Sequence, residues 1–168
     1  TVSANENTAI ISGTNHLGGI IGDYTQSNVY LYYNVSIANN INRGEVSATQ
    51  CAAIMGCNNI DGFTAMTATG NLSYYWHEGL ELFATPYDMV IDNTNRFVTE
   101  FTVYTQAELQ AVLDNCRPST TILLNPADYG VVYMRPNPAN AATKEVDWQG
   151  NNYHYETYSC FENLTIKG

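Results

Sequence analysis

Short segments in which apolar and polar residues alternate recur along the chain and predict β-strands. In the clearest one, residues 28–38, the odd-numbered positions from Val29 to Ile37 are apolar or aromatic. A period of two with one apolar face is typical of a half-buried antiparallel strand. The even-numbered positions of this segment are Tyr30, Tyr32, Asn34 and Ser36. Similar alternation occurs at residues 71–77, 96–104 and 151–161.

One segment has helical rather than strand periodicity. Thr105 and Glu108 match a capping box, in which a threonine precedes a helix and a glutamate follows three residues later. Leu109, Val112 and Leu113 then form an apolar stripe at helical spacing. We therefore expect a helix at about residues 106–115 and a buried strand after it at 121–124.

Many short strands with Gly-rich turns and one short helix predict an all-β protein, an antiparallel β-sandwich of Greek-key or jelly-roll type. No internal repeat of fixed period is visible. The segment HLGGIIGD is expected to be a turn segment, in which Gly18, Gly19 and Gly22 would allow positive φ. We expect residues 1–12 to be an N-terminal extension and residues 13–168 to form a single sandwich domain.

The segment AELQAVLDNCRPSTTILLNPADYGVVYM, residues 107–134, resembles the helix-plus-first-rung segment of right-handed parallel β-helix proteins of the pectate-lyase-like family. In that family an amphipathic helix caps the solenoid and a strand and turn open its first rung. Only 38 residues follow Gly130, and a solenoid needs at least ~3 stacked repeats. We therefore carry over no catalytic residue and expect a helix followed by a sheet strand. The matching positions are Leu109, Val112, Leu113, Ile122, Leu123, Leu124, Tyr129 and Gly130.

The charge of the chain excludes several classes of partner. Its net charge is −10, and its only lysines are Lys144 and Lys167. No basic stripe is present, so we expect neither nucleic-acid binding nor attraction to anionic membranes. No apolar run approaches the ~18 residues of a membrane helix, so we expect no membrane insertion. Charged residues make up 13%, about half the usual fraction. Twenty asparagines and eighteen threonines supply polarity instead.

Sugar-acceptor triplets and cysteines favour a secreted or cell-surface protein. N-x-S/T triplets begin at Asn34, Asn71 and Asn163, and we expect all three to carry glycans on outward-facing or terminal positions. The even number of cysteines fits two disulfides in an oxidising compartment. Four cysteines allow three connectivities, of which we favour Cys51–Cys57 and Cys116–Cys160.

No catalytic motif is complete, so we expect a protein that is not an enzyme and has no catalytic residue. His77-Glu78 lacks the second histidine of a zinc-protease helix, because Glu81 occupies that position. His154 and Glu156 share a strand face but are more simply surface residues. Residues 58–64 and 92–95 offer oxygen ligands, yet Asx turns explain them equally well. We expect no metal or cofactor, with Ca²⁺ as the alternative.

Tyrosines on outward strand faces suggest a binding surface. Such side chains stack on sugars, are buried by a neighbouring subunit, or are shielded by glycans. The candidates are Tyr30, Tyr32, Tyr153, Tyr155 and Tyr158.

Two functions fit these features best. The first is a glycosylated structural subunit that assembles with copies of itself into an extracellular fibre or surface layer. Residues 1–12 are its candidate donor strand, with Val2, Ala4 and Ile10 on one face and Ile11 on a competing face. The alternative for this segment is an ordinary first strand in its own sheet. The second function is a lectin-like carbohydrate-binding β-sandwich, and the third is a polysaccharide lyase-like fragment.

Overall fold

A computed structural model describes residues 1–22, 24–26, 34–56, 58–60, 65–77, 79–84, 89–134, 141–148, 151–158 and 161–168. These residues form one α-helix and many short strands. The strands are β1 (Val2–Ser3), β2 (Glu6–Asn7), β3 (Ile11–Ser12), β4 (Leu17–Gly18), β5 (Tyr24–Gln26), β6 (Asn34–Ala38), β7 (Ile41–Asn42), β8 (Val46–Ser47), β9 (Cys51–Met55), β10 (Asn58–Ile60), β11 (Ala65–Thr69), β12 (Leu72–Ser73), β13 (Glu81–Phe83), β14 (Met89–Ile91), β15 (Arg96–Phe97), β16 (Glu100–Val103), β17 (Thr121–Leu124), β18 (Ala141–Trp148), β19 (Asn151–Tyr158) and β20 (Thr165–Lys167). The helix, α1 (Gln106–Asn115), lies between β16 and β17 in the chain.

The chain divides into two compact units, Thr1–Val98 and Thr99–Gly168. In the first unit the chain winds in successive turns, and the strands of each turn pair in parallel with those of the next. We call this winding the coil. Its first sheet has the order β1-β6-β11-β14, its second β2-β7-β12-β15 and its third β4-β9-β13, while β3–β8 and β5–β10 add two smaller pairs. We call the four turns of the coil rungs 1 to 4; they begin at β1, β6, β11 and β14.

The prediction of an antiparallel β-sandwich is wrong. All strand pairs described in the first unit are parallel. Among the described strands, only the hairpin of β18 and β19 is antiparallel. Alternation of apolar and polar residues locates a strand but does not identify its partner, and here the partner lies one whole rung away rather than across a tight turn.

Residues 1–12 belong to this coil and do not form an extension. β1, β2 and β3 pair with β6, β7 and β8 of the same chain. This is the alternative in which the segment forms ordinary strands of its own unit. It makes residues 1–12 part of rung 1.

The interior of the coil is apolar. Its main cluster combines side chains of the first and third sheets, because both sheets turn one face inward. Strand β9 is buried along almost its whole length, as expected for a parallel strand covered on both faces. The members of the cluster are Ile37, Ile54, Met55, Met66, Ala68 and Phe83.

The second unit contains the predicted helix. Thr105 Oγ1 accepts from the N–H of Glu108 at 3.2 Å, and Glu108 Oε2 accepts from the N–H of Thr105 at 3.2 Å, completing the capping box. β17 pairs in parallel with β16 on one side and β20 on the other. Leu109 and Leu113 of α1 pack with Val103 and Ile122 from these strands.

Residues 131–134 are tied to the helix by side-chain amides. Gln106 Nε2 donates to the carbonyl oxygen of Val131 at 2.6 Å. Gln110 donates to the carbonyl oxygen of Tyr133 at 2.9 Å and accepts from its N–H at 2.8 Å. Two glutamines one helical turn apart therefore replace a neighbouring strand. No helix in the described part of the chain has the length and apolar character needed to cross a membrane.

The turn between the first and second sheets has left-handed backbone in rungs 1 to 3. The residues are Ala4 (φ 56°), Asn39 (φ 55°) and Gly70 (φ 64°). By contrast, Gly18, Gly19 and Gly22 do not have positive φ, and the segment expected to be a turn contains strand β4. They allow close packing: a Cβ on Gly19 would lie 2.2 Å from the carbonyl oxygen of Ala53.

We predict that Gly19→Ala destabilises the coil more than Gly79→Ala. Gly79 has a φ of 81°, so an alanine there carries a strain of about 1–2 kcal/mol, but its Cβ meets nothing within 4 Å. At residue 19 the added Cβ would overlap the backbone carbonyl oxygen of Ala53 and the buried side chain of Asn42, which cannot move away without disturbing the packing. Urea unfolding measures the difference, and equal midpoints for the two variants would contradict the packing described here.

Candidate functional site

A row of asparagines crosses all four rungs at the turn between the first and second sheets. Asn5, Asn40, Asn71 and Asn95 lie directly before β2, β7, β12 and β15. Successive members are 35, 31 and 24 residues apart in the chain. We call this row the asparagine ladder.

The ladder is a chain of amide–amide hydrogen bonds with one direction. Each Nδ2 donates to Oδ1 of the next rung, at 2.9 Å from Asn5 to Asn40, 2.8 Å from Asn40 to Asn71 and 2.7 Å from Asn71 to Asn95. The backbone N–H of the donating residue reaches the same oxygen at 3.1–3.2 Å. From rung 2 onward, Nδ2 also donates to a backbone carbonyl of the preceding rung, at 3.1, 2.9 and 2.8 Å.

The interior of the ladder is fully buried. Asn40 and Asn71 have no exposed surface. A buried amide that loses its partner costs about 1–3 kcal/mol. Because each of these residues bonds to the rung before it and the rung after it, the ladder fixes the register of the stacked strands.

A second, shorter row runs beside it, two residues later in each rung. Asn7 Nδ2 donates to Asn42 Oδ1 at 2.8 Å, and Asn42 Nδ2 donates to Ser73 Oγ at 3.4 Å. Ser73 in turn donates to the carbonyl oxygen of Tyr75 at 2.8 Å. In rungs 1 to 3 the two rows therefore run side by side.

The downstream end of the ladder is closed by Asp92. Asn95 Nδ2 donates to the carbonyl oxygen of Asp92 at 2.9 Å and to its Oδ1 at 3.0 Å. Asp92 Oδ2 accepts from Thr69 Oγ1 at 2.6 Å, and its Oδ1 accepts from the hydroxyl and N–H of Thr94. Hydrogen bonds from Thr69 and Thr94 hold the pKa of Asp92 below its ordinary value.

The upstream end is open among the described residues. Asn5 is exposed, and its Oδ1 accepts no hydrogen bond from the described part of the chain. Beside it lies a cavity of about 320 Å³, all of whose described lining belongs to rung 1. We call this cavity the upstream pit. It is lined by Val2, Asn5, Glu6, Asn7, Gly19 and Ile20.

A charged stack follows the rungs on the outside of the second sheet. Arg43 Nε of rung 2 donates to Glu6 Oε1 of rung 1 at 2.6 Å. The guanidinium of Arg43 lies 3.9 Å from the ring centroid of Tyr74 in rung 3. Because the ion pair is exposed, it contributes only about 0–1 kcal/mol, and the stack mainly orients Glu6 at the rim of the pit.

The three predicted glycosylation sites differ in exposure: two are exposed and one is buried. Asn34 is exposed at the start of β6, and Asn163 is exposed at a turn before β20. Glycans at these two positions stay a prediction. The outward placement of Asn71 is wrong: its Nδ2, the atom that would carry the sugar, is buried and donates to Asn95 Oδ1 and the Ile37 carbonyl. A sugar there and the folded ladder exclude each other.

Each predicted disulfide includes one cysteine that lies outside the described residues. Cys57 and Cys160 lie outside the described residues, so both pairings stay predictions. Cys51 lies in β9, where its thiol donates to the carbonyl oxygen of Ala48 at 3.5 Å. Cys116 is buried at the end of α1.

The predicted assembly residues lie in rung 1. Val2 lines the upstream pit, and Ala4 forms the left-handed turn before Asn5. Ile10 is 72% exposed, whereas Ile11 is half-buried in β3. The structure therefore brings one of the four, Val2, to the open end of the ladder.

The predicted aromatic surface cannot be assembled from the described residues. Tyr30 and Tyr32 lie outside them. Tyr153, Tyr155 and Tyr158 lie in β19, opposite Val146, Lys144 and Ala141 of β18, and only their backbone is described.

The oxygen-rich segment 92–95, considered for Ca²⁺, is an Asx turn that closes the ladder. Within the described ranges, no three His, Cys, Asp or Glu side chains are grouped so that they could hold a metal ion. Of segment 58–64, only β10 is described. The ring of His77 makes an edge contact with Tyr75, with 5.9 Å between centroids.

Sequence reasoning missed the ladder, although the chain carries a signal for it. The tetrapeptides ANEN (4–7), NNIN (39–42) and GNLS (70–73) place asparagine second and a small polar residue fourth. Their unequal spacing hides them from a search for a fixed period. A residue that tolerates left-handed backbone, followed by asparagine, is the recognisable part.

No protein-family model, curated protein or solved structure matches this chain. The site is therefore interpreted from its own geometry.

We expect Asn40→Ala to lower the free energy of unfolding by about 1–3 kcal/mol, because the buried Oδ1 of Asn71 loses the donor Asn40 Nδ2 and the N–H and Nδ2 of Asn5 lose their shared acceptor. The matched control is Asn93→Ala, which changes the same residue type at an exposed position outside the ladder. Chemical denaturation measures both variants. Similar stabilities for the two would show that the ladder does not hold the rungs together.

The ladder should weaken in acid through Asp92. Its pKa is lowered in the folded protein, so its contribution to stability is complete above its unfolded pKa of about 3.9 and is lost as the pH falls through the lower folded value. Asp92→Asn should flatten this part of the pH dependence of the unfolding midpoint. An unchanged acid profile in the variant would remove Asp92 from this role.

Proposed function

We propose that this chain is a secreted structural subunit whose coil forms part of an extracellular fibre or surface layer. The observation that carries the proposal is the asparagine ladder, which runs along the coil axis and joins all four rungs by side-chain hydrogen bonds. A chain of buried hydrogen bonds along the axis suits an element that carries tension.

The sheets of the coil have edge strands among the described strands. β1 and β14 are the edges of the first sheet, and β2 and β15 are the edges of the second. Unpaired backbone groups on a sheet edge favour addition of a further strand. In the proposal, such edges pair with strands of neighbouring subunits.

Copies of the same chain are the proposed neighbours. In the proposal, unlike surfaces of two copies meet, so the contact is heterologous, and repeating it with a rotation that does not close gives a filament. The low fraction of charged residues and the exposed positions of Asn34 and Asn163 support an extracellular, glycosylated setting.

No observation on the described residues favours a second function. The carbohydrate-binding alternative requires a β-sandwich, which the coil replaces. The lyase-like alternative rests on residues 107–134, and that resemblance brings no catalytic residue.

Electron microscopy and sedimentation of the secreted chain test this proposal. We expect filaments or layers whose mass grows with protein concentration. Val2→Lys places a charge in the upstream pit and should prevent assembly, whereas Ile10→Lys changes an exposed residue of the same segment outside the pit and should not. A wild-type chain that stays monomeric at all concentrations, with Asn34 and Asn163 unmodified, would reject a fibre-forming glycoprotein.

A further inference from the structure

The side chain of Asn71 belongs to a sugar-acceptor triplet, yet the folded coil encloses it. Asn71 and Ser73, the two residues that define the triplet, have relative exposures of 0% and 1%. The amide nitrogen, Nδ2, carries two hydrogens. It donates to the carbonyl oxygens of Ile37 at 2.9 Å and Thr69 at 3.2 Å, and to Oδ1 of Asn95 at 2.7 Å. A glycan would replace one of these hydrogens, and the folded coil has no room for it.

The three acceptors around Nδ2 belong to different rungs. Ile37 lies in rung 2 and Thr69 in rung 3, whereas Asn95 lies in rung 4. The backbone N–H of Asn71 also donates to Asn95 Oδ1, at 3.2 Å. Without rung 4, Nδ2 keeps the two carbonyl oxygens and loses its shortest hydrogen bond. Rung 4 is therefore the part of the coil that covers the nitrogen from the downstream side.

Rung 4 is also the least buried rung in the described part of the coil. None of its residues 89–98 is buried, whereas each of the other rungs contains buried residues. Val90 is 68% exposed, and β14 and β15 each pair on one side only among the described strands. A segment with few buried contacts opens at a lower free energy than the rest of a fold. We therefore expect rung 4 to detach more easily than rungs 2 and 3.

We propose that Asn71 accepts a glycan only while rung 4 is detached, so that docking of rung 4 and glycosylation compete for the same nitrogen. Because N-glycosylation occurs in the secretory pathway, the competition rests on the secreted setting of the proposed function. The sugar donor is a lipid-pyrophosphate-linked oligosaccharide. Nδ2 forms a bond to the anomeric carbon, the bond from that carbon to the pyrophosphate oxygen breaks, the lipid pyrophosphate leaves, and one Nδ2 proton passes to solvent.

A glycan on Asn71 would keep rung 4 from docking. The sugar would lie where Asn95 Oδ1 accepts from Asn71, so the ladder would end at rung 3. Asn34 and Asn163 are exposed in the folded chain and are open to the same reaction before and after folding. Of the three triplets, only the one at Asn71 therefore reports whether the coil was complete when the sugar was transferred.

Site occupancy in the full-length chain tests the competition. The chain is expressed in animal cells behind a removable secretion signal, and mass spectrometry of proteolytic peptides gives the modified fraction at each triplet, in cells and medium together. Asn34 and Asn163 are the internal controls for access to the transferase. Asn95→Ala removes the acceptor in rung 4, and Asn93→Ala is the matched control at an exposed position of the same turn.

A second control separates rung 4 from general misfolding. Leu113→Ala empties a fully buried position in the cluster of the second unit and leaves the ladder unchanged. We expect Asn71 to be bare in the wild type and in both control variants. Asn95→Ala should raise its modified fraction at least about fivefold, because loss of a buried hydrogen-bond partner shifts the docking equilibrium by that factor or more.

Three results would overturn the competition: a wild-type chain modified at Asn71 as fully as at Asn34, an Asn95→Ala chain still bare at Asn71, or an equal rise with Leu113→Ala. Sedimentation of the same wild-type sample tests the fibre separately. Monomers whose Asn71 responds to Asn95→Ala as expected would reject the fibre and keep the competition. Fibres built from chains modified at Asn71 would do the reverse.

Discussion

The buried carboxamides of Asn40 and Asn71 are the constraint on which the coil depends. A neutral amide in an apolar interior is tolerated only when its donors and acceptor are all used. Each of these residues meets that condition through the rung before it and the rung after it. A slip of one rung relative to the next would therefore leave several buried groups unpaired at once, and the short strands, many only two residues long, would have little else to hold their register.

The same bonds give the coil a direction. At the downstream end a carboxylate, Asp92, gathers donors from Thr69, Thr94 and Asn95, so the last amide of the ladder is satisfied within its own chain. Among the described residues, Asn5 Oδ1 at the first position of the ladder accepts no hydrogen bond. The amide–amide hydrogen bonds therefore have the same direction from rung 1 to rung 4.

Local features of this chain were predictable from sequence, and long-range ones were not. The helix could be located because Thr105 and Glu108 act on each other across a single turn. The parallel pairing of Val2 with Ile37, and of Ile37 with Ala68, could not, because nothing local shows which rung a strand meets. The fold expectation failed at this step, although residues 107–134 had suggested a parallel coil elsewhere in the chain.

The sequence around Asn71 is compatible with two roles, a glycosylation site and a position in the ladder. Its triplet satisfies the rule for a sugar acceptor, and alternation places it opposite Leu72, toward solvent. The repeated tetrapeptide around it supports the other reading, a ladder position. Burial decides between them, and burial depends on rungs that lie 31 and 24 residues away in sequence.

A coil whose rungs are joined by hydrogen bonds along its axis can extend greatly when those bonds break. Tension along the axis loads the bonds between neighbouring rungs, and each rung that opens releases the chain between two ladder asparagines. That length is 35 residues from Asn5 to Asn40 but 24 from Asn71 to Asn95. At roughly 3.4 Å per extended residue, these are about 120 Å and about 80 Å. A coil pulled along its axis therefore lengthens in unequal steps as its rungs open one after another.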